Sequence, residues 1–588
     1  MPSLAVATNF WMRVGGALAI ALGLACTQCG DDSSSASTTS ASTGSAGGAG
    51  GGVEVAPALS GLEISEGSLV PAFSPDVTSY AVEVPLTTTS LTVTATALAD
   101  ETLRIDGLDV GSGAATLIDL KPGANTIVVE VSGSGGMVAY TISVQRGLGV
   151  SSYLKADASQ AGCECGSVVA VSGSTLVMGC YRDNVLVQGE GGAVFVFERE
   201  ASGWKFAQKL VPAVHAPGDR FGMSVAIEGD VLVVGAPGRS SGTEMHGAAY
   251  VFERDAAGVW SELVQLKATG GGHLDQFGES VAVSGDRVAV GAPGEDGSAT
   301  GVSGVVDELA LGAGAAYVFV RSGAVYTQEA YIKAADTAAL DLFGTDLALS
   351  ADRLVVAAPG EDSAGAGVGV DGVGTGAIDS GAVYVYERSA TGWALTSQIK
   401  GPSPSASDMF GAALSLRGDA LLVGIPGDDA TGAGVGTDAS DAGSLDSGAA
   451  ALYRVSSSGE WSLEAHFKSP APSPFDGFGG AVAIEGPLAL IGSPREDGSG
   501  AGVGSVVDEG SPSSGAAHTF RRFGGAWLDD AYVKAPVNVP GVRFGSALAL
   551  GPDDVVAGLP YDPSDADGVD GDPSDASAPD AGGAFAMR

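Results

Sequence analysis

The chain has 588 residues, of which 45% are hydrophobic, so it is long enough and apolar enough to form several domains with a large core. Its 92 glycines and its aromatic content of 6% favour many short strands joined by tight turns over long helices. The net charge of −41 argues against binding to nucleic acid phosphates or anionic lipid headgroups, and it favours divalent cations or basic ligands. The simpler interpretation is that the acids keep an exported β protein soluble.

The N-terminus has the pattern of a secretion signal over residues 1–25. Arg13 precedes an apolar run at 14–25, which is too short to cross a bilayer but has the length of a signal peptide core. The run ends in LGLAC, which resembles a bacterial lipobox, and this resemblance implies lipidation of Cys26 after cleavage. Ordinary cleavage and release is the alternative. Residues 26–57 are rich in Ser and Gly, which predicts a flexible tether.

Residues 58–147 form a separate unit of short alternating runs, such as YAVEV at 80–84 and LTVTA at 91–95. Alternation with β-branched residues indicates half-buried strands, and a domain of about ninety residues built from them is typical of a β-sandwich. The unit resembles the bacterial cadherin-like β-sandwich family at Leu59, Leu62, Gly67, Leu69, Pro71, Phe73, Tyr80, Gly123, Asn125 and Tyr140. This resemblance implies a spacer or adhesion module without catalytic residues.

Residues 150–588 consist of one unit repeated seven times. Its clearest copy reads FGESVAV at 277–283, VAVGAP at 288–293 and, after a variable loop, GAAYVF at 314–319. Units of this length with four strand signals each, named a to d, predict the blades of a propeller. The Phe-Gly pair recurs at Phe221, Phe277, Phe343, Phe410, Phe478 and Phe544, and Cys165-Gly166 takes its place in the first unit.

This repeat resembles the FG-GAP repeats of the integrin α-subunit propeller and, more closely, their compact bacterial relatives. The expected fold is therefore all-β, a seven-bladed β-propeller preceded by a small β-sandwich. The last unit ends with strand c and has no strand d, whereas residues 152–156 have the pattern of a surplus strand d. The sequence predicts that Tyr153 pairs beside Phe585 and closes the ring, which removes open sheet edges.

Acidic residues concentrate between strands b and c, on loops that the integrin resemblance places on the ligand face. The integrin calcium loop between strands a and b is absent, so no calcium site is carried over from that family. The densest cluster contains Asp565, Asp567, Asp570 and Asp572, whose hard oxygen ligands predict a Ca²⁺ site. The alternative is a solvated acidic loop.

An aspartate also recurs two residues before Phe-Gly, where a carboxylate most simply caps the amides of a turn. The five copies are Asp219, Asp275, Asp341, Asp408 and Asp476.

Three of the five cysteines, Cys163, Cys165 and Cys180, lie in the first repeat. In an oxidising compartment they predict one disulfide with a leftover thiol. Hairpin pairing places Cys165 diagonally to Cys180, so Cys165–Cys180 is the expected bond, with Cys163–Cys180 as the alternative. No histidine lies in a nucleophile elbow or a His-x-x-x-His pair, so the sequence does not support a hydrolase activity. We expect no enzymatic activity.

The leading hypothesis is a monomeric cell-surface binding or adhesion protein, with the sandwich as a stalk and a propeller face as the platform for a protein or glycan ligand. Ca²⁺ is the candidate cofactor. No nucleic acid partner is expected, and contact with the membrane is expected only through a lipid anchor. The alternatives are a propeller enzyme that acts on polysaccharide and a purely structural component of the envelope.

Overall fold

The computed structural model describes residues 56–588, except for 148–149, 159, 185–188, 201–202, 242–243, 303, 305–306, 370–373, 437–441 and 506–507. The predicted signal segment, Cys26 and nearly all of the predicted tether therefore lie outside the described residues. The described elements are all β-strands. No helix in this part of the chain has the length and the apolar character needed to cross a membrane.

The first eight strands form a sandwich of two sheets. They are β1 (Leu59–Ile64), β2 (Ser79–Val84), β3 (Ser90–Ala97), β4 (Thr102–Ile105), β5 (Leu108–Val110), β6 (Ala115–Asp119), β7 (Gly123–Gly133) and β8 (Gly136–Arg146). The strand orders are β1-β3-β6 and β2-β8-β7-β4-β5, and only the pair β2–β8 among them is parallel. Alternation along β3 buries Leu91, Val93 and Ala95 in the core between the sheets, as the sequence pattern predicts.

The described residues that follow form seven four-stranded antiparallel sheets. Sheet 7 includes β9 (Val150–Leu154) as its fourth strand. Sheet 1 contains β10 (Val168–Ser172), β11 (Thr175–Cys180), β12 (Ala193–Glu200) and β13 (Gly203–Leu210). Sheet 2 contains β14 (Val225–Glu228), β15 (Val231–Ala236), β18 (Ala248–Arg254) and β19 (Trp260–Leu266), with a small hairpin of β16 (Ser240–Ser241) and β17 (Glu244–Met245) before β18.

The remaining strands follow the same order, and the four strands of each sheet are called a to d. Sheet 3 contains β20 (Val281–Ser284), β21 (Arg287–Ala292), β22 (Ala315–Ser322) and β23 (Val325–Ile332). Sheet 4 contains β24 (Leu347–Ser350), β25 (Arg353–Ala358), β26 (Ala382–Ser389) and β27 (Gly392–Ile399). Sheet 5 contains β28 (Leu414–Arg417), β29 (Ala420–Ile425), β30 (Ala449–Val455) and β31 (Trp461–Phe467). Sheet 6 contains β32 (Ala481–Glu485), β33 (Leu488–Ser493), β34 (Ala516–Phe523) and β35 (Ala526–Val533), and sheet 7 contains β36 (Leu548–Leu550), β37 (Val555–Leu559), β38 (Gly583–Met587) and β9.

The two ends of the repeat region meet in sheet 7. Tyr153 of β9 pairs with Phe585 of β38, and the two rings stack with their centroids 4.7 Å apart. The prediction that this N-terminal strand completes the last sheet is confirmed. Strand a of each sheet lies beside strand a of the next, and β36 of sheet 7 lies beside β10 of sheet 1.

Glycine pairs allow neighbouring sheets to approach closely. A methyl group on Gly235 of sheet 2 would lie 1.9 Å from the carbonyl oxygen of Gly278 at the start of sheet 3. The same relationship joins sheet 7 to sheet 1, because a methyl group on Gly558 would lie 2.0 Å from the carbonyl oxygen of Gly166. The Gly of the Gly-Ala-Pro triplet and the Gly of Phe-Gly are therefore contact points between sheets.

The middle strands are covered on both faces, which explains their continuous apolar sequences. In β21, for example, every residue from Val288 to Ala292 is buried. The phenylalanine of Phe-Gly fills the space between sheets, and Phe277 meets Tyr317 and Phe319 edge to face, at 5.3 and 6.0 Å between ring centroids.

The sandwich packs directly against the repeat region through Arg146, the last residue of β8. Its guanidinium donates hydrogen bonds to both carboxylate oxygens of Asp530, at 2.6 and 2.8 Å, and to the carbonyl oxygen of Leu86 at 2.7 Å. Leu86 belongs to the same apolar cluster as Tyr153 and residues of sheets 6 and 7. The expected stalk is thus held against these sheets rather than joined to them by the connecting chain alone.

Candidate functional site

The first acid of each b–c loop mostly serves a structural ion pair. Glu295 accepts a hydrogen bond from Lys333 Nζ at 2.6 Å and another from Tyr331 Oη at 2.7 Å, and both charged side chains are at most 2% exposed. Burial lowers the pKa of Lys333, and the carboxylate of Glu295 opposes this shift. The same pairing of a b–c acid with the lysine that directly follows strand d occurs in Lys155–Asp562, Lys400–Glu361, Lys468–Asp428 and Lys534–Glu496.

Sheets 1 and 2 depart from this pattern in ways that support it. In sheet 1, Lys209 stands two positions earlier in strand d and still reaches Asp183, at 3.0 Å. In sheet 2 the acid is replaced by Arg239, which pairs with Asp219 at 2.8 Å, and Lys267 at the usual lysine position is exposed. The lysine is therefore buried in sheets 3 to 7, which supply a carboxylate for it, half-buried in sheet 1 and exposed in sheet 2, which lacks the acid.

The aspartates two residues before Phe-Gly cap turns, as predicted. Asp408 accepts a hydrogen bond from the amide of Ser405 at 2.6 Å, and burial raises the pKa of its carboxyl to about 7, against the effect of that amide. The other four copies accept from the amide three residues earlier in the same way, and they are Asp219, Asp275, Asp341 and Asp476.

The four acids of the predicted calcium site lie exposed on the b–c loop of sheet 7. Asp570 accepts a hydrogen bond from the amide of Tyr153 at 2.9 Å, and Asp572 accepts one from the amide of Ser574 at 2.9 Å. Asp565 and Asp567 complete the cluster. No group of three or more His, Cys, Asp or Glu residues that could hold a metal ion occurs within the described ranges. Calcium binding here stays a prediction from the sequence.

A disulfide joins Cys165 to Cys180, with their Cα atoms 4.1 Å apart. Cys163 is buried without a disulfide, and burial raises the pKa of its thiol to about 11. Cys163 stands at the position where five other repeats place the capping aspartate, so it fills a structural position of the repeat.

One position of the b–c loops, the residue after the strand-b proline, is not apparent from the pattern that the repeats share. The residue after the strand-b proline is Gly in sheets 2 to 5, where it packs on the preceding d–a loop. A methyl group on Gly294, for example, would lie 2.2 Å from the carbonyl oxygen of Leu274. Sheets 6, 7 and 1 instead carry Arg495, Tyr561 and Arg182 at this position. The signal is visible in GSPRED, GLPYDP and GCYRDN when they are aligned with GAPGED.

These three consecutive sheets, 6, 7 and 1, form a distinct sector, which we call the Arg/Tyr sector. Within it the guanidinium of Arg543 lies over the ring of Tyr561, at 4.9 Å from its centroid. Arg182 forms an ion pair with Glu190 at 2.9 Å. An open groove of about 510 Å³ lies between the loops of sheets 6 and 7, and both Arg543 and Tyr561 line it.

The tripeptide Arg417-Gly418-Asp419 forms an ordinary turn between strands a and b of sheet 5. Arg417 pairs with Glu485 at 2.5 Å and Asp419 with Arg454 at 2.6 Å. Both charged side chains are thus paired with residues of the repeat region.

Family models match segments in both parts of the chain. Residues 204–252, 260–319 and 326–386 match the family model of the FG-GAP repeat, and each match runs from a strand d through strand c of the next sheet. Residues 59–147 match the family model of the cadherin-like beta sandwich domain.

Similarity to individual proteins is more limited. A "Putative membrane protein" of Evansella cellulosilytica is 41% identical over 92 residues, which are 15% of this chain and only 14% of that protein. Sqt1 of Chaetomium thermophilum is 12% identical with a TM-score of 0.36, over 70% of this chain and 84% of that chain. A quinonprotein alcohol dehydrogenase-like protein of Bacteroides thetaiotaomicron is 9% identical with a TM-score of 0.31, over 80% and 98%. TM-scores this low carry no argument about activity. The two family matches show that the chain contains FG-GAP repeats and a cadherin-like β-sandwich domain.

Proposed function

We propose that the chain is a non-enzymatic binding protein of the cell surface, in which the seven sheets are the blades of a closed propeller. The FG-GAP repeats and the cadherin-like domain fit an extracellular role in adhesion or structure. Closure of the ring is supported by the pairing of β9 with β38 and by the glycine contact between Gly558 and Gly166. The ligand platform is the propeller face that carries the b–c and d–a loops.

The observation that carries this proposal is the Arg/Tyr sector. Sheets 2 to 5 build the same b–c loop with Gly after the proline, so the repeat does not need a large side chain there. Arg495 and Tyr561 are half-buried at the surface of the loops, where they are accessible to a ligand. Side chains that the repeat does not require, gathered in one sector of one face, support recognition of a ligand.

A binding role is favoured over an enzyme that acts on polysaccharide. Hydrolysis of a glycosidic bond generally uses two carboxyl groups that flank the scissile bond. The first acids of the b–c loops, such as Glu295 and Glu496, are instead buried against a tyrosine of strand d and the lysine that follows that strand. They are therefore occupied by the structure of the repeat.

The test is binding of the purified full chain to a panel of glycans and matrix proteins, together with the variants Arg495→Gly and Tyr561→Gly, which restore the consensus of the repeat. We expect both variants to lose affinity while their melting temperature stays that of the wild type. Arg417→Ala, at an a–b turn, is the control and should bind normally. Unchanged binding by both glycine variants, or release of cleaved product from a panel glycan, would contradict the proposal.

Attachment to the membrane through Cys26 is part of the proposal, and it rests on the lipobox resemblance. The wild-type chain, expressed in a bacterium, should enter the detergent phase in a Triton X-114 separation. Cys26→Ala should move it to the aqueous phase, whereas Cys29→Ala should leave it in the detergent phase. If Cys26→Ala partitions like the wild type, the anchor lies elsewhere.

A further inference from the structure

The groove between sheets 6 and 7 combines charge with a flat apolar rim. It has a volume of about 510 Å³ and is open to solvent. Its lining comes from three loops, the b–c loop of sheet 6, the d–a connection that follows and the b–c loop of sheet 7. The residues that matter for recognition are Pro512, Ser513, Pro540, Arg543, Tyr561 and Asp580.

Arg543 is the cation of this groove. It lies over Tyr561, and it forms no ion pair with any carboxylate of the described ranges. The arginines on the sheet 1 side of the sector differ, because Arg182 and Arg220 both pair with Glu190, at 2.9 and 3.3 Å. The five N–H donors of the Arg543 guanidinium are therefore available to an incoming anion.

Arg495 of sheet 6 is not among the residues that line this groove. Its guanidinium packs against Gly477, at the start of sheet 6, and burial lowers its pKa against the effect of the carboxylate of Asp446 in the b–c loop of sheet 5. Arg543 is therefore the arginine that an anion in the groove would meet.

The other lining residues narrow the kind of anion. The rings of Pro512 and Pro540, and the part of the Tyr561 ring that Arg543 leaves uncovered, offer apolar surfaces on which a sugar ring can lie. The hydroxyl of Ser513 and the exposed carboxylate of Asp580 can bond to sugar hydroxyls, and Asp580 would repel a compact ion such as phosphate. A fitting ligand therefore carries an acid group at one place and several hydroxyls at another.

We propose that this groove binds a uronate unit of an acidic polysaccharide, with its carboxylate on Arg543 and its ring against Tyr561. A planar carboxylate matches the guanidinium in a bidentate pair, which is why uronate is favoured over a sulfated sugar. This inference rests on the proposed binding function and names its ligand class.

The test is titration of the full chain with polygalacturonate, with its fully methyl-esterified form and with dextran sulfate. Polygalacturonate should bind and should weaken as salt rises, whereas the neutral ester should not bind. Arg543→Gln should reduce the affinity for polygalacturonate at least tenfold, and Tyr561→Ala should reduce it severalfold. Arg417→Gln, which removes an exposed arginine far from the groove in sequence, is the matched control and should bind like the wild type.

Three results would overturn this inference. The first is equal binding of the methyl ester, and the second is unchanged affinity in Arg543→Gln. The third is binding of dextran sulfate that equals that of polygalacturonate and survives Arg543→Gln, which would indicate general attraction to polyanions. If no acidic polymer binds while another panel ligand depends on Arg495 and Tyr561, the uronate inference fails and the proposed function stands.

Discussion

Arg146 and Asp530 meet in a fully buried ion pair between residues 384 positions apart in the sequence, with two hydrogen bonds of 2.6 and 2.8 Å. A buried ion pair is tolerated only when its remaining donors and acceptors are also satisfied. Here the guanidinium also reaches the carbonyl oxygens of Leu86 and Leu120, and Asp530 accepts from the hydroxyl of Thr519 at 3.0 Å. The pair therefore couples the sandwich to sheet 6.

Removing one partner of this pair should destabilise the coupled fold strongly. Arg146→Met leaves the buried carboxylate of Asp530 with Arg521, 2.9 Å away, as its remaining cation, and it removes the two hydrogen bonds that Arg146 donates to Asp530. Losing these bonds at a buried acceptor should cost about 2–3 kcal/mol. Urea unfolding of the full chain should show this loss, either as a lower midpoint or as a separate transition of the sandwich. The control is Arg104→Met, which breaks the exposed pair with Asp109 and should cost about 1 kcal/mol or less. A loss in Arg146→Met that is no larger than the control would contradict the coupling.

The lysine pairs of the repeats offer an internal control of their own. Lys333→Met leaves Glu295 buried without its cation, so we expect a loss of about 3–5 kcal/mol in the free energy of unfolding. Lys267→Met changes the equivalent residue of sheet 2, which is exposed, and should stay within about 0.5 kcal/mol of the wild type. Differential scanning calorimetry of both variants separates the two cases. Similar losses for both would show that the buried pair is not what stabilises these sheets.

Most of the fold could be predicted because its signals are local and repeated. Each Phe-Gly and Gly-Ala-Pro motif recurs at the same place in a unit, and the surplus strand at Tyr153 indicated the closure with Phe585. The contact between Arg146 and Asp530 occurs once, between distant segments of different patterns. Nothing in the local sequence of either residue points to the other, so the docking of the sandwich could not be read from it.

The candidate site was predictable only in part. The concentration of acids in the b–c loops was visible in the sequence, but the lysines that pair with them lie far along the chain. Glu295 and its partner Lys333, for example, are 38 residues apart. An alignment of the seven copies does not reveal the pairing either, since sheet 2 lacks the acid but keeps the lysine, and only the structure shows that this lysine is exposed. The shared pattern of the repeats does not point to Arg495 and Tyr561, because they stand at a position where the repeats differ.

The capping aspartates should make the free energy of unfolding fall as the pH rises towards neutrality. Burial raises the pKa of Asp341, Asp408 and Asp476 to about 7, well above the value of about 3.9 for an exposed aspartate. Between these values the native protein holds protons that the unfolded chain has lost. The stabilisation from the protonated carboxyls is complete below the unfolded pKa and is lost as the pH rises through the folded pKa.

Asp408→Asn tests this directly, because an amide oxygen can still accept the hydrogen bond from Ser405 but cannot ionise. The free energy of unfolding of the variant relative to the wild type should rise by about 2 kcal/mol between pH 5 and pH 7. Guanidinium unfolding at several pH values measures this difference. Asp76→Asn, at an exposed position of the sandwich, is the control and should show no such trend. If the difference in the free energy of unfolding does not change with pH, Asp408 does not hold a proton in the native protein near neutral pH.

The last prediction concerns calcium at the acidic loop of sheet 7. Four exposed carboxylates lie within eight residues there, and their mutual repulsion raises the free energy of the ordered loop. A bound Ca²⁺ would offset that repulsion and stabilise the fold by mass action, so the melting temperature should be higher with Ca²⁺ than with chelator at equal ionic strength. The double variant Asp565→Asn and Asp567→Asn should abolish the difference, and it spares Asp570, which accepts from the amide of Tyr153 in the closing strand. Asp230→Asn and Asp286→Asn, at a–b turns, form the matched control and should keep the calcium effect. If the melting temperature is the same with and without Ca²⁺, the acids of this loop act only as turn caps and solubilising charges. A calcium effect that survives the loop variant would place the ion among the b–c loops of other sheets.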